Sequence, residues 1–245
     1  MMEPTDDEQS LYNEISALGL SLWDKTASFK GKNDDPKMFS ATLFSRLWSN
    51  HKGYTTLWNG RQTLEADIIL RSAVETAICI AANFRMRSRF VDLMRRDAAF
   101  TIQGQIKMFR DAEDFGMVSQ GEAVLRQIMN TIPGGLKAAK LDWKSLAETG
   151  EVPQLYGFHR MLSGVSSHVT GLSVLRSMTN DNLSKGQFEI DGIERRIHLM
   201  MMAGAMLQGS LLHAGMIDAH PEAERASALT ALLDRLSGGW PGVNE

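Results

Sequence analysis

The chain has 245 residues, of which 43% are hydrophobic and 22% are charged, and its formal net charge is −3. This composition is typical of a folded globular protein. The charge excludes a global electrostatic attraction to nucleic acid or anionic membranes, although a local basic patch could still provide one. A single cysteine, Cys79, excludes an intrachain disulfide. Together with an acidic start unlike a secretory signal, it predicts a cytoplasmic protein.

Hydrophobic residues recur at helical spacing along most of the chain, and no segment alternates apolar and polar residues for long enough to form a substantial sheet. We predict an all-α, single-domain bundle of about seven to nine helices over residues 1–236, with a flexible tail over 237–245. The predicted helices are 6–29, one that starts at 35–36 and ends near 50–54, 63–84, 88–112, 121–130, 154–176, 193–217 and 222–236.

Two connecting regions are harder to assign from the pattern. Residues 136–152 show weak periodicity, which predicts short helical pieces and loops. Residues 177–192 are rich in Asn, Asp, Ser and Gly, which predicts a long loop. Within that loop, a small β-hairpin near 183–191 is compatible with the sequence.

The segment from Ile197 to Ile217 runs for 21 residues without a formal charge at neutral pH. That length could span a bilayer. The segment also contains His198, Gln208, Ser210 and His213, together with three glycines that allow close helix packing. We therefore predict a buried central helix and no membrane association.

Several catalytic motifs are absent from the sequence. It has no Gly-rich phosphate loop, dinucleotide-binding fingerprint or nucleophile elbow. Its histidines form neither a His-Glu-x-x-His nor a Glu-x-x-His pair, so we expect no metal and no cofactor. Metal binding by His159, His168, His198 and His213 stays geometrically open, because distant helices can converge. The six histidines are His51, His159, His168, His198, His213 and His220.

The segment "ILRSAVETAICIAA" contains only two charged residues, Arg71 and Glu75. They are four residues apart and share one helical face within apolar surroundings. Such a pair is either a partly buried structural ion pair or part of a functional site. Because burial of an ion pair contributes little to stability, the second interpretation remains open.

The segment "YGFHRMLSGVSSHVTG" places an apolar and a polar stripe on one predicted helix. His168 lies at the border of the apolar stripe, whereas His159, beside Phe158, is expected to point outward. His168 is either a structural group or, with Arg160, a catalytic candidate. The polar stripe provides three candidate ligand-binding residues, Tyr156, Ser163 and Ser167.

The segment "RMRSRFVDLMRR" has five arginines and one aspartate. Arginine makes bidentate contacts to phosphate oxygens, so the segment is either a phosphate-binding strip or a solvated helix face. The candidate phosphate contacts are Arg85, Arg87, Arg89, Arg95 and Arg96.

The motifs "LRSAVETAI" and "FHRMLSGVSSH" together resemble a bacterial family of helical proteins known as a domain of unknown function. That resemblance implies site roles for Arg71 and Glu75, and for Tyr156, Ser163 and His168. "RMLSGVSSH" is also similar to the Arg-and-His signature of the HEPN superfamily of helical bundles, many of which are metal-independent ribonucleases. Seven residues separate its Arg from its His, one more than that signature has.

Two functions follow as hypotheses. The first is an intracellular binding or interaction module with a buried polar site formed by Arg71, Glu75 and His168. Its partner would be a protein or a small ligand, and a homodimer is compatible with it. The alternative is a HEPN-like ribonuclease of a toxin or phage-defence system, with RNA as its partner. In that enzyme His168 would act as general acid or base, and Arg160 or Arg71 would stabilise the transition state.

Overall fold

The protein is described by a computed structural model covering residues 3–31, 34–165 and 185–237, in which Val165 and residues 185–191 are described by their backbone alone. These ranges contain helices and no strands, which confirms the predicted all-α class. The helices in the described residues are α1 (Asp6–Ala27), α2 (Pro36–Asn59), α3 (Thr63–Met86), α4 (Ser88–Asp111), α5 (Phe115–Met129), α6 (Trp143–Thr149), α7 (Pro153–Val165), α8 (Lys185–Met216) and α9 (His220–Ser237).

The predicted β-hairpin near 183–191 is wrong, because α8 already begins at Lys185. Residues 183 and 184 lie outside the described residues. Glycines at 186 and 192 disfavour a helix by about 1 kcal/mol each, but each residue added to an existing helix gains a hydrogen bond at low entropic cost. The apolar helix that follows therefore extends toward its N-terminus through a segment with the composition of a loop.

Two other boundaries differ from the sequence prediction. Helix α5 begins at Phe115 rather than at 121, because the side chain of Asp114 caps it by accepting a hydrogen bond from the amide of Met117 at 3.1 Å. Helix α2 continues to Asn59 because His51 and Tyr54 are buried and hold its last turns on the core. Both differences reflect local contacts that hydrophobic spacing does not report.

Helices α3 and α8 form the centre of the bundle. Helix α3 packs against α2, α6, α7 and α8, and α8 also packs against α1, α2 and α9. The middle of α8 is buried at Met202, Met206 and His213, so the predicted central helix is confirmed. In the described part of the chain, no helix is both long and apolar enough to cross a membrane.

Two buried histidines have both ring nitrogens paired. His213 lies between Thr26 and Ser40, whose hydroxyl oxygens are each 2.8 Å from a ring nitrogen. Thr26 donates its own hydrogen to the carbonyl of Leu22, so the Nε2–H of His213 donates to Thr26 and its Nδ1 accepts from Ser40. His51 is bonded in the same manner by Ser16 and Tyr12. Both imidazoles are therefore structural and neutral.

Helices α4 and α5 form an antiparallel hairpin at one side of the bundle. Helix α5 packs mainly against α4, while α4 contacts α2 and α3. Ten large hydrophobic side chains are exposed in the described part of the chain, and six of them lie on or next to this hairpin. Those six are Phe100, Met108, Phe115, Met117, Val124 and Leu136. The exposed large apolar side chains of the described residues are thus concentrated at this hairpin.

Candidate functional site

Arg71 and Glu75 form the predicted ion pair on α3. Arg71 Nη2 lies 3.1 Å from Glu75 Oε1, and each side chain is 22% exposed. The surrounding residues of α3 are mostly buried and apolar, among them Leu70 and Val74. The pair is thus partly buried, with one edge in contact with solvent.

His159 of α7 joins this pair, contrary to its expected outward orientation. Its Nε2 lies 3.2 Å from Glu75 Oε1, and its side chain is only 9% exposed. The reason is helical register, because Leu155, His159 and Leu162 recur at i, i+4 and i+7. The two leucines are buried, and α7 packs against α3, so His159 faces Glu75. We call Arg71, Glu75 and His159 the polar triad.

Aromatic rings enclose the imidazole of the triad. The ring of Trp143, at the start of α6, is centred 5.5 Å from that of His159, and the ring of Tyr156 is centred 6.1 Å from it. Helix α6 is positioned by Asp142, whose carboxylate caps it by accepting a hydrogen bond from the amide of Ser145. The triad therefore has an apolar wall as well as its charges.

His159 is neutral at pH 7 in this environment. Burial lowers its pKa, Arg71 and Arg160 act in the same direction, and Glu75 opposes them. The Nδ1 of His159 and the Nε of Arg71 are buried and have no hydrogen-bond partner among the described residues. Nε2 faces the carboxylate of Glu75 without hydrogen-bond alignment. In contrast to His51 and His213, this histidine is incompletely paired.

Positive charge predominates around His159. Arg71 and Arg160 both lower its pKa, and the carboxylate of Glu75 raises it. The side chain of Arg160 is exposed and can move to meet a ligand. On the α2 side, Arg46 and Asn50 both donate to the hydroxyl of Ser72, next to Arg71 in the chain. With His159 neutral, the charges of Arg71 and Glu75 cancel within the partly buried triad, and the exposed Arg160 adds one positive charge beside it.

The remaining residues of the "YGFHRMLSGVSSHVTG" segment have different placements. Tyr156 is half-buried beside His159. The hydroxyl of Ser163 donates to the carbonyl of His159 at 2.6 Å, one turn back in the same helix. Ser167 and His168 lie outside the described residues. The role that the sequence predicts for His168 therefore stays a prediction.

Four of the five arginines in the "RMRSRFVDLMRR" segment have partners within the protein. Arg85 pairs with Glu151, Arg87 contacts the sulfur of Met216, and Arg95 donates to the carbonyl of Thr131. Arg96 donates to the carbonyl of Lys137 at 2.7 Å. Arg89 is exposed. These contacts attach the end of α3, the α3–α4 junction and α4 to neighbouring segments, which gives the four arginines a structural role whether or not they also meet phosphate.

No group of three or more His, Cys, Asp or Glu side chains in the described ranges could hold a metal ion. The triad contains one carboxylate and one imidazole, which is too few for a protein metal centre on its own. Its chemistry is therefore that of hydrogen bonding and charge.

Sequence reasoning found Arg71 and Glu75 but missed His159 and Trp143. The signal for His159 was its four-residue spacing from Leu155 and three-residue spacing to Leu162. No sequence signal identified Trp143, because its place beside His159 depends on how α6 meets α7. Comparison of the chain with protein-family models, curated proteins and solved structures found no match to any of them.

Proposed function

We propose that the protein is a binding module whose polar triad, Arg71, Glu75 and His159, holds the carboxylate of a small ligand or of a protein partner. The observation that carries the proposal is the position of His159. It is buried against the Arg71–Glu75 pair, yet one ring nitrogen has no hydrogen-bond partner among the described residues. Buried polar atoms without partners are rare and mark sites where a ligand or water completes the network.

The free-energy cost of burying the charged groups of the triad supports a functional role. Removal of charged groups from water is expensive, and an apolar replacement of similar volume is often equally stable or more stable. The same chain pairs both nitrogens of His51 and His213 with hydroxyl groups, which is the arrangement expected of a purely structural histidine. The triad is less well paired than His51 and His213, which supports a role in binding.

The charge balance favours a monoanion. Two arginines and one glutamate leave one positive charge next to His159, which one carboxylate would neutralise. The rings of Trp143 and Tyr156 suit an aromatic or aliphatic body behind that carboxylate. Since a bound anion favours the imidazolium form, its binding would raise the pKa of His159, and affinity would increase as the pH falls.

Benzoate is a suitable probe of this site. We expect it to bind the wild type, to shift the ring resonances of His159 in an NMR titration, and to bind at least about tenfold more weakly to Arg71→Met, since a charge-assisted contact is lost. Arg225→Met is the matched control, because Arg225 pairs with Glu14 on the surface. Equal affinity for Arg71→Met and the wild type, or unchanged His159 resonances at saturating benzoate, would contradict the proposal.

RNA phosphate is the other anion to consider, because a HEPN-like ribonuclease would also use arginines in this region. The exposed Arg160 next to His159 is the observation that favours it. Incubation of the purified protein with single-stranded RNA distinguishes the binding module from the ribonuclease. Cleavage that disappears in His168→Ala would replace the binding proposal by the nuclease, whereas we expect no cleavage that depends on His168.

The α4–α5 hairpin supports an interaction role of a second kind, self-association. Phe100, Gly104 and Met108 are four residues apart and so form one stripe on α4. Phe100 is 45% and Met108 56% exposed, and no atom lies near the place where a Gly104 side chain would begin. A glycine between two exposed apolar residues allows close approach of a second copy of the helix, and a two-fold contact of this stripe with itself is self-complementary.

Met108→Glu is expected to convert a dimer of this kind to a monomer, because it places a charge in the apolar contact. Sedimentation velocity over a range of protein concentrations measures the change. Leu20→Glu on α1 is the matched control, since Leu20 is similarly exposed, at 51%, but lies away from the hairpin. A wild type that stays monomeric at high concentration, or a Leu20→Glu variant that also dissociates, would refute the assignment.

A further inference from the structure

A cavity lies on the other side of α7 from Tyr156. It has a volume of about 230 Å³ and lies between α7, α8 and α9. Helix α7 packs mainly against α3 and α6, whereas α9 packs against α8 and α1, so the cavity fills the gap between two separately supported helices. Leu155 and Phe158 of α7 line it, whereas His159 faces Glu75. It is therefore a site distinct from the polar triad.

The wall of the cavity opposite α9 is mostly apolar, and its polar side chains are the amides of Gln154 and Gln208. Leu155, Met200 and Leu207 are buried and line it, and Met201 adds a second thioether. Methionine side chains adapt their shape to irregular ligands because they are unbranched and flexible. A cavity of about 150 Å³ holds one benzene ring, so this one has room for about nine or ten non-hydrogen atoms.

The α9 side of the cavity presents three oxygen-bearing side chains. Thr230, Asp234 and Ser237 line it and recur at i, i+4 and i+7, which places them on one face of the helix. The hydroxyls of Thr230 and Ser237 already donate to the carbonyls of Ala226 and Leu233. Each hydroxyl oxygen is therefore left as an acceptor, and the carboxylate of Asp234 is an acceptor as well.

The charge of the residues that line the cavity narrows the chemical class of the ligand. Asp234 is the one formally charged residue among the described residues that line the cavity. A carboxylate or phosphate would meet three acceptor side chains and no cation there. An ammonium group, with three donors, can reach one oxygen on each of these three side chains and opposes the charge of Asp234. We propose that this cavity binds a small apolar amine, with an aryl or alkyl body on Met200 and Leu207 and its ammonium group at Thr230, Asp234 and Ser237.

Phenethylamine and the neutral phenethyl alcohol are the probes, because they have the same body and differ in the charged group. Isothermal titration at pH 7 is expected to show the amine binding about fivefold more tightly than the alcohol, the range of a solvent-exposed carboxylate–ammonium contact. Asp234→Asn is expected to remove that difference and leave the alcohol unchanged. Asp234 is exposed, so the variant keeps the fold.

Gly204→Leu tests whether the probes bind in this cavity. Gly204 lines the cavity, and a side chain there would first meet Leu233 at 3.8 Å, an ordinary contact, before it fills the space. Leucine favours helix more than glycine, so the variant is expected to fold and to lose binding of both probes. Gly204→Ala is the control that keeps most of the volume and still binds. Equal affinity for amine and alcohol in the wild type, no binding of either, or full binding in Gly204→Leu would each overturn the proposal.

Discussion

Lowering the pH from 7 to 4 is expected to reduce the free energy of unfolding by about 6 kcal/mol, because two buried histidines resist protonation in the folded state. Burial lowers the pKa of His51 to about 4, while the same cause moves His213 to a pKa of about 3. Their ordinary pKa is 6.5. The ring nitrogens of both are occupied by hydroxyl groups, and His213 is also stacked on Phe44 with ring centroids 4.5 Å apart.

The direction of the change in stability follows from the number of protons that the folded and unfolded states bind. Between the folded and the ordinary pKa the unfolded chain binds more protons than the native protein, so stability increases with pH in that interval. The stability that the neutral forms of the two histidines provide is fully present above pH 6.5 and is lost as the pH falls toward 4. Each histidine contributes a slope of about 1.4 kcal/mol per pH unit over this range.

Urea denaturation at several pH values between 4 and 7 measures the slope. His213→Gln is expected to reduce it by about 1.4 kcal/mol per pH unit, whatever it does to the stability at pH 7, and His51→Gln is expected to do the same. His220→Gln is the matched control, since His220 is exposed. A slope that is unchanged in both buried-histidine variants would show that other groups cause the acid sensitivity.

Removal of the Glu75 carboxylate alone is expected to lower the free energy of unfolding by about 1–3 kcal/mol. In Glu75→Leu the guanidinium of Arg71 and the imidazole of His159 keep their places without the group that both of them contact. A fully buried pair that loses one partner costs about 3–5 kcal/mol, and the 22% exposure of this pair reduces the figure.

The loss of stability in Glu75→Leu is expected to depend on Arg71. In the Arg71→Met background, Glu75→Leu no longer leaves a cation without its partner, so its effect on stability becomes smaller. A double-mutant cycle measured by urea denaturation gives the coupling directly. Additive effects of the two substitutions would show that the ion pair contributes nothing to the native state.

The helical architecture could be predicted from the sequence because the packing of α3 and of the middle of α8 repeats every three to four residues. Leu70, Val74 and Ile78 show this spacing, and all three are buried. The first turns of α8 were missed because glycines and polar residues there resemble a loop. In that segment, continuation of an existing helix outweighs local propensity.

The candidate site was only half predictable. Arg71 and Glu75 stood out as the only charges in an apolar helix, so burial could be inferred from one element alone. His159 and Trp143 meet them through contacts between α3, α6 and α7 that a single sequence does not specify. The cavity beside α9 was missed for the same reason, because a gap between helices leaves no periodic pattern.

The measurement that most directly tests the functional role of the polar triad is the stability of Arg71→Met/Glu75→Leu/His159→Phe. We predict a free energy of unfolding equal to or above that of the wild type, because an apolar replacement of the whole cluster removes the cost of its desolvation. His213→Phe is the structural control and is expected to lose stability, since Ser40 and Thr26 keep buried hydroxyls without their partner. A triple variant destabilised by more than about 2 kcal/mol would mean that the triad is kept for folding, and would contradict its role as a binding site.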